Sequence, residues 1–389
     1  MLVNELQNFQ IQVNIATAHD SYEAWPGELM TIWFSRSRRR AGMCSHLEKE
    51  ERSLSAQRRG ISIMTYLSTS NLWINEKSML DEPRVVIIVL NWNGKNDTIE
   101  CLRSLQQLSY QNFEILVVDN GSTDGSVACF RQEFPDVSVA ENNTNLGFAE
   151  GNNVGIRWAI RRGPDYVLLL NNDTIVDKDF LTELTAVAET DPSIGFAGPK
   201  VYHCDFKGRK DVISFAGATI GVATGKAYRF GQNTIDRGQY DRVRETDYVE
   251  GSCLLARVDC LNRVGLLNTT YRLYWEDIEL CFRGRKAGYK SVYVPSATIW
   301  HKVGIRASVR RVQGYYYGGR NRMLFVKEYA TSSQLLIFLC FLLAFDLWKV
   351  ILVSIFKDKS MPQAVAYLKG TIDGFFDLGL GDEPRESTT

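Results

Sequence analysis

The sequence predicts an α/β fold on a mostly parallel sheet, completed by an α+β half and followed by an apolar helical tail. Three observations carry this. Apolar, β-branched runs alternate with segments of helical spacing from Arg84 to Glu189, as strand–helix–strand crossovers require. Those runs are continuous rather than alternating, which marks strands buried on both faces. Beyond Gly195 the apolar runs shorten and the crossover pattern stops.

The elements follow in order. VVIIVLN (85–91) is the first buried strand, TIECLRSLQQL (98–108) a helix and FEILVVDN (113–120) a second strand. A short helix near Ser126–Phe134, a strand near Val137–Glu141 and a helix near Ala149–Arg162 come next. YVLLLNND (166–173) is the third apolar strand, and a helix near Asp179–Glu189 follows it. VISFAGATIG (212–221) and YVEGSCLLARV (248–258) read as the strands of the second half, and a helix starts near Glu276. In parallel sheets ligands sit beyond the carboxyl ends of the strands. Here those ends read Asn91-Trp92-Asn93, Asp119-Asn120-Gly121 and Asn171-Asn172-Asp173, and their shared polarity predicts a cleft.

SQLLIFLCFLLAFDLWKVILVSIF (333–356) is long enough to cross a bilayer, which takes about 20 apolar residues. Asp346 and Lys349 interrupt it, at about 3 kcal/mol each near a membrane centre. Three residues apart, they can pair on one helix face. A helix lying in the membrane interface fits that interruption better than a clean span; the alternative is a buried core helix. Basic stretches at 36–59 and from Arg306 through Arg310, Arg311, Arg320 and Arg322 to Lys327 face either anionic lipid or solvent. Residues 1–82 hold no periodicity and predict a poorly ordered extension without an assigned function.

Of the 389 residues, 45 are Lys or Arg and 45 Asp or Glu, so no net charge points to nucleic acid. The eight cysteines include no C-x-x-C pair, and several lie within apolar runs. That predicts free thiols, a reducing cytosolic setting and no zinc knuckle. The N-terminal residues lack the basic start and long apolar run of a secretory signal.

Four features carry chemistry. Asp119 closes an apolar strand before a Gly-Ser-Thr-Asp-Gly turn; it can reach a base or ribose, or serve only as an Asx turn and helix cap. Asp173 ends another strand and suits a metal or a simple turn. Glu276 and Asp277 open a helix, where the dipole favours acids and keeps Asp277 ionised as a base must be. His301 is one of four histidines and is expected on a cleft-facing loop.

Together the pieces VVIIVLNWNG (85–94), FEILVVDNGSTDGS (113–126), NNTNLGFAEGNNVGI (142–156), YVLLLNNDTIVD (166–177), VEGSCLLARVD (249–259), YWEDIELCFRGRKAGY (274–289) and IWHKVG (299–304) resemble glycosyltransferase family 2, in its order, most closely the bacterial rhamnosyltransferase-like branch. The resemblance implies a GT-A fold: a mostly parallel, Rossmann-like nucleotide-binding sheet with an α+β acceptor half. It implies a catalytic domain over 83–305, followed by a basic and apolar tail over 306–389 that associates with membrane. Asp119 then matches the aspartate that contacts base and ribose, and Asn91 and Asn93 the loop that wraps the nucleotide. Asn171-Asn172-Asp173 matches the D-x-D motif, with Asn171 in place of its first acid and Asp173 as the metal-binding one. Asp277 matches the catalytic base, Glu276 its neighbour and His301 a metal-binding histidine; Gly251 and Trp275 fall in the acceptor region. The implied reaction is inverting transfer of a sugar, rhamnose favoured, from a dTDP- or UDP-linked donor with Mg²⁺ or Mn²⁺. The acceptor is a hydroxyl of a lipid-linked or surface glycan at the inner face of the cell membrane. The competing reading is a catalytically weak nucleotide-sugar-binding module.

Other nucleotide-binding classes lack their motifs. LNWNGKND supplies no G-x-G-x-x-G. Gly94-Lys95-Asn96 and Gly225-Lys226-Ala227 both miss the P-loop's final Ser or Thr. An aspartyl phosphatase wants a second Asp where Gly121 stands, and a nucleotidyltransferase wants a glycine-rich basic loop after the first strand.

Overall fold

The computed structural model describes residues 82–302, 311–357 and 360–378. The extension over 1–82, apart from its last residue, the basic stretch 36–59, Arg306 and Arg310 lie outside them.

Strands β1 (Val85–Asn91), β2 (Phe113–Asp119), β3 (Ser138–Glu141) and β4 (Tyr166–Asn171) pair in parallel in the order β3-β2-β1-β4. Their crossovers carry helices α1 (Lys95–Leu105), α2 (Ser126–Glu133) and α3 (Gly147–Ile160). β1 is almost wholly buried, as its unbroken apolar run requires. The register sets Asn91 opposite Asp119, and Leu90 opposite Asn171. Register alone therefore gathers the three polar strand ends at one edge.

A three-residue strand, β5 (Thr174–Val176), and helix α4 (Phe180–Ala188) lead into β6 (Ile194–His203). The expected strand over 212–221 is two strands, β7 (Val212–Phe215) and β8 (Ala218–Gly221). Gly217 breaks it with a φ of 89°, a left-handed conformation that glycine adopts freely. β8 pairs instead with β9 (Lys226–Arg229) in a separate hairpin. β10 (Thr234–Ile235) and β11 (Arg244–Thr246) are short edge strands.

The strand expected over 248–258 is confined to β12 (Cys253–Arg257), antiparallel to β4 and β6. This leaves Glu250 and Gly251 in a turn. Helices α5 (Val258–Val264) and α6 (Glu276–Lys286) precede β13 (Lys290–His301). His301 is thus the last residue of a twelve-residue strand, not part of a loop. The register shift between Val294 and Thr298 absorbs Pro295, so the strand continues past it.

The tail comprises α7 (Arg311–Tyr329), α8 (Ser332–Phe356) and α9 (Met361–Phe376). Thr331 caps α8: its hydroxyl accepts from the Gln334 amide at 3.3 Å, and Gln334 Oε1 accepts from its backbone N–H at 3.0 Å. α8 is 25 residues long and apolar enough to cross a membrane by length and composition. Leu336, Leu343, Phe345, Trp348, Leu352 and Phe356 stand exposed along it, and Met361, Val365 and Phe376 along α9.

Asp346 does not pair with Lys349, which lies on the exposed side. It points inward from a π-helical turn, Leu342–Asp346, and is 5% exposed. There it meets the Arg322 guanidinium, Lys226 Nζ at 3.1 Å and the Tyr367 hydroxyl at 3.1 Å. Two cations and a hydroxyl outcompete a neighbouring lysine on a solvated face. Arg320 and Arg322 face neither lipid nor solvent: both are buried, Arg320 donating to the Thr270 carbonyl at 2.8 Å and Arg322 bound to Asp346. The thiols of Cys101, Cys253, Cys260 and Cys281 are free and buried as small hydrophobes.

α7 and α9 approach at the distance of their backbones. A Cβ on Gly370 would overlap the Tyr316 carbonyl, and one on Gly374 the Arg320 carbonyl. Tyr316 Oη donates to Asp373 at 2.8 Å across the same contact. Gly370→Ala is therefore expected to lower stability by roughly 1–3 kcal/mol through overpacking. The measurement is the urea midpoint, and an unchanged midpoint would mean that the helices part without loss.

Candidate active site

Two groups of polar side chains stand at the carboxyl edge of the sheet. In the first, Asp119 is 2% and Asn91 0% exposed. Asp119 Oδ1 accepts from Asn91 Nδ2 at 2.7 Å, and Oδ2 accepts from the Ser122 N–H at 2.8 Å. Asn93, at a φ of 47°, donates its N–H to Ser122 Oγ at 2.8 Å and accepts from the Thr123 N–H at 2.8 Å. Asn172 Nδ2 reaches Thr98 Oγ1 at 2.9 Å and Asn91 Oδ1 at 3.3 Å. Asn91 and Asn172 thus hold the Asp119 loop from behind.

The second group lines a cavity of about 1040 Å³ that includes Asn171, Asp173, His301, Gly251, Glu276 and Asp277. His301 faces Asp173 because β13 pairs with β5, setting His301 opposite Thr174. His301 Nε2 lies 3.0 Å from Asp173 Oδ1 and 3.3 Å from Asn171 Nδ2, and Nδ1 is buried without a partner among the described residues. Burial alone favours the neutral imidazole; the Asp173 carboxylate outweighs it, so the His301 pKa lies above its ordinary value.

Asp277 Oδ2 accepts from the Gly251 N–H at 2.9 Å and Oδ1 from the Ile278 N–H at 2.8 Å. Burial pushes its pKa from 3.8 to about 6, against the pull of those two N–H groups. The helix N-terminus does not hold it in the ordinary carboxylate range, because desolvation is the larger effect. Glu276 is raised well above that range by burial and by the Asp277 charge beside it, and its Oε2 is buried without a partner among the described residues.

The segment before these acids is strained. Arg272, Tyr274 and Trp275 have φ of 46°, 67° and 76°, conformations that cost non-glycine residues about 1–3 kcal/mol each. Asn321 of α7, 0% exposed, holds the segment in that shape. Its Nδ2 lies 2.6, 2.9 and 2.8 Å from the carbonyls of Tyr271, Leu273 and Tyr274. The Arg272 carbonyl accepts from the Phe148 N–H at 3.0 Å, tying the same loop to the start of α3. Trp275 does not line the cavity; its ring packs on Phe325 with centroids 5.1 Å apart.

Sequence reasoning missed other cavity residues. Arg229 and Glu250 form a 2.7 Å ion pair beside Gly251. Glu250 had a weak signal, as an acid next to a glycine between apolar runs, whereas Arg229 had none. Gly314, Tyr315, Gly318 and Arg322 of α7, with Asp346 and Val350 of α8, form the far wall. The glycine-rich GYYYGG (314–319) is the signal that could have pointed there. Among the described residues no three His, Cys, Asp or Glu side chains gather as a metal cluster.

A family model described as "Glycosyltransferase like family 2" matches residues 83–313. The chain is 28% identical over 224 residues to an N-acetylglucosaminyl-diphospho-decaprenol L-rhamnosyltransferase of Mycobacterium tuberculosis, covering 51% of this chain and 70% of that one. It is 25% identical over 227 residues to the low-salt glycan biosynthesis hexosyltransferase Agl10 of Haloferax volcanii, covering 57% and 68%. The crystal structure of S. aureus TarS 1-349 in complex with UDP-GlcNAc superposes with a TM-score of 0.50 at 15% identity, covering 75% of this chain and 81% of that one, a likeness of fold.

Asn321→Leu keeps the volume and removes the donors, leaving the loop's carbonyls buried without their partner. A loss of about 1–3 kcal/mol is expected in urea unfolding. A loss of only a few tenths would show that the loop keeps its strained shape unaided.

Proposed function

The chain belongs to glycosyltransferase family 2 and is a glycosyltransferase of GT-A fold, and on that premise we propose that it performs an inverting transfer with Asp277 as the base. The carrying observation is that Asp277, fixed by two backbone N–H groups, shares one cavity with the Asp173–His301 pair. A base and a site for the leaving diphosphate thus face a common space.

In the proposed reaction Asp277 removes the proton of an acceptor hydroxyl. The hydroxyl oxygen forms a bond to the anomeric carbon as that carbon's bond to the diphosphate oxygen breaks. The nucleoside diphosphate leaves with the electron pair, and the configuration inverts. A base with a pKa near the working pH is the effective kind. Glu276, whose carboxyl burial and the Asp277 charge hold well above the ordinary range, orients the acceptor through a hydrogen bond.

Asp119 and Asn93 hold the nucleotide, with Asn91 and Asn172 setting the Asp119 loop and Asn171 reaching the sugar side. Asp173 and His301 suit a hard divalent cation, Mg²⁺ or Mn²⁺. Their facing atoms lie 3.0 Å apart, and neighbouring ligands of an octahedral ion at about 2.1 Å are separated by about 3 Å. Asp173 and His301 would hold such an ion, leaving its remaining positions to phosphate and water. It would offset the charge of the leaving diphosphate. Gly251 and the Trp275 loop flank the acceptor side.

The rhamnosyltransferase among the relatives favours a dTDP-rhamnose donor, with UDP-hexoses next, and its name supports a lipid-linked glycan acceptor. The exposed apolar faces of α8 and α9 support docking on the cytoplasmic face of a membrane. The domain is proposed to run from 83 to 305, with 306–389 as its membrane-associated tail and 1–82 as a dispensable extension.

Asp277→Asn should lower kcat by about 10²–10⁴ while nucleotide affinity holds. The wild-type rate should fall as pH drops through about 6, where Asp277 takes up its proton; a rate flat to pH 5 would remove Asp277 from the role. A chelator should abolish transfer and Mg²⁺ or Mn²⁺ restore it, with Asp173→Ala behaving like chelation. Undiminished transfer in chelator would exclude the ion.

A further inference from the structure

The cavity is shared between the base and the tail helices. From Asp277 it continues along α7 to Asp346 and Val350 of α8. Gly314, Gly318 and Arg322 recur every four residues on α7, so they share the helix face that lines it. The two glycines leave that face bare. A Cβ at Gly318 would meet nothing within 4 Å, and one at Gly314 only the Tyr274 ring, 3.6 Å away. The adjacent Gly319 is bare for another reason, since it packs against the Tyr367 carbonyl of α9. Gly318 therefore has no packing partner among the described residues to account for it.

Five residues that line this cavity, Arg229, Ser252, Glu276, His301 and Arg322, each carry a buried polar atom without a partner among the described residues. Of these, Glu276 Oε2, on a residue 5% exposed, lies next to the Asp277 base. A hydroxyl-rich ring laid over the glycines, between the Tyr274 and Tyr315 rings, meets Glu276 Oε2. The trough then ends against α8, whose outer face is apolar and exposed.

We propose that the Gly314–Gly318 face of α7 is the acceptor subsite, and that it takes the terminal sugar of a lipid-borne glycan whose anchored end leaves past Arg322, Asp346 and Val350. This rests on the glycosyltransferase reading of Asp277. It adds where the acceptor lies and which way its lipid points. The tail helices then present a membrane-held substrate to the base, in addition to holding the protein at the surface.

Gly318→Leu tests this. The new side chain enters open space, and leucine favours helix over glycine, so the variant should fold with an equal or higher melting temperature. The probes are radiolabelled dTDP-rhamnose and UDP-hexoses, given to the full chain with membranes of its own host. The readouts are label in the organic-solvent extract and, separately, dTDP and UDP affinity by calorimetry. The expected result is transfer into the lipid extract by wild type, reduced roughly ten-fold or more in Gly318→Leu by steric exclusion, with nucleotide affinity unchanged. Equal incorporation by the variant would overturn the subsite. Nucleotide binding with label only in water-soluble product, or with none incorporated, would overturn the lipid-borne acceptor. Failure of wild type to bind any of these nucleotides would instead overturn the glycosyltransferase reading beneath it.

Discussion

The buried amide of Asn321 is the contact on which the rest of the site depends. It reaches from a tail helix into the loop before Glu276 and holds three carbonyls of a segment with three left-handed residues. Such a backbone persists only where its surroundings over-determine it. The orientation of Asp277, the start of α6 and one wall of the cavity all follow from that loop. One side chain thus joins the tail to the candidate site, and the tail is structurally part of that site.

The two polar groups at the sheet edge differ in what they leave open. Around Asp119 the amides and hydroxyls are paired with one another, which fixes a loop before any ligand arrives. Around Asp277 the balance is the reverse: Glu276 Oε2 and His301 Nδ1 are buried without partners among the described residues. Unpaired buried polar atoms are costly, and here they concentrate where substrate and ion are proposed to bind. The Asp119 group is organised for rigidity, and the Asp277 group retains unmet hydrogen-bonding capacity.

The parallel half of the fold was legible because its information is local. Uninterrupted β-branched runs in VVIIVLN and YVLLLN are buried strands, and polar residues at their ends mark the binding edge. Asp173 stood out as a carboxylate at a strand end and His301 as one of four histidines, and the resemblance implied their metal-binding roles; strand pairing between β13 and β5 supplies their contact. What sequence could not show lies in long-range partners. Asp346 was matched with Lys349 because only the helix's own residues were in view, yet its partners come from β9, α7 and α9. Arg320 and Arg322 were read as surface charge because composition does not reveal a buried carbonyl or carboxylate waiting for them. Asn321 and Arg229 left no trace, since nothing in their neighbourhoods distinguishes a clamp from an ordinary polar residue.

The placement of Asp346 also bears on how the chain is made. A carboxylate in the middle of an apolar helix opposes entry into lipid until its cations are in place. Lys226 and Arg322 both precede it in the sequence, so ribosomes complete those partners before α8 emerges. The domain can fold first and offer a charged socket to the helix as it appears. The proposed membrane docking would then be the last event of maturation, available only to chains whose catalytic domain has already formed.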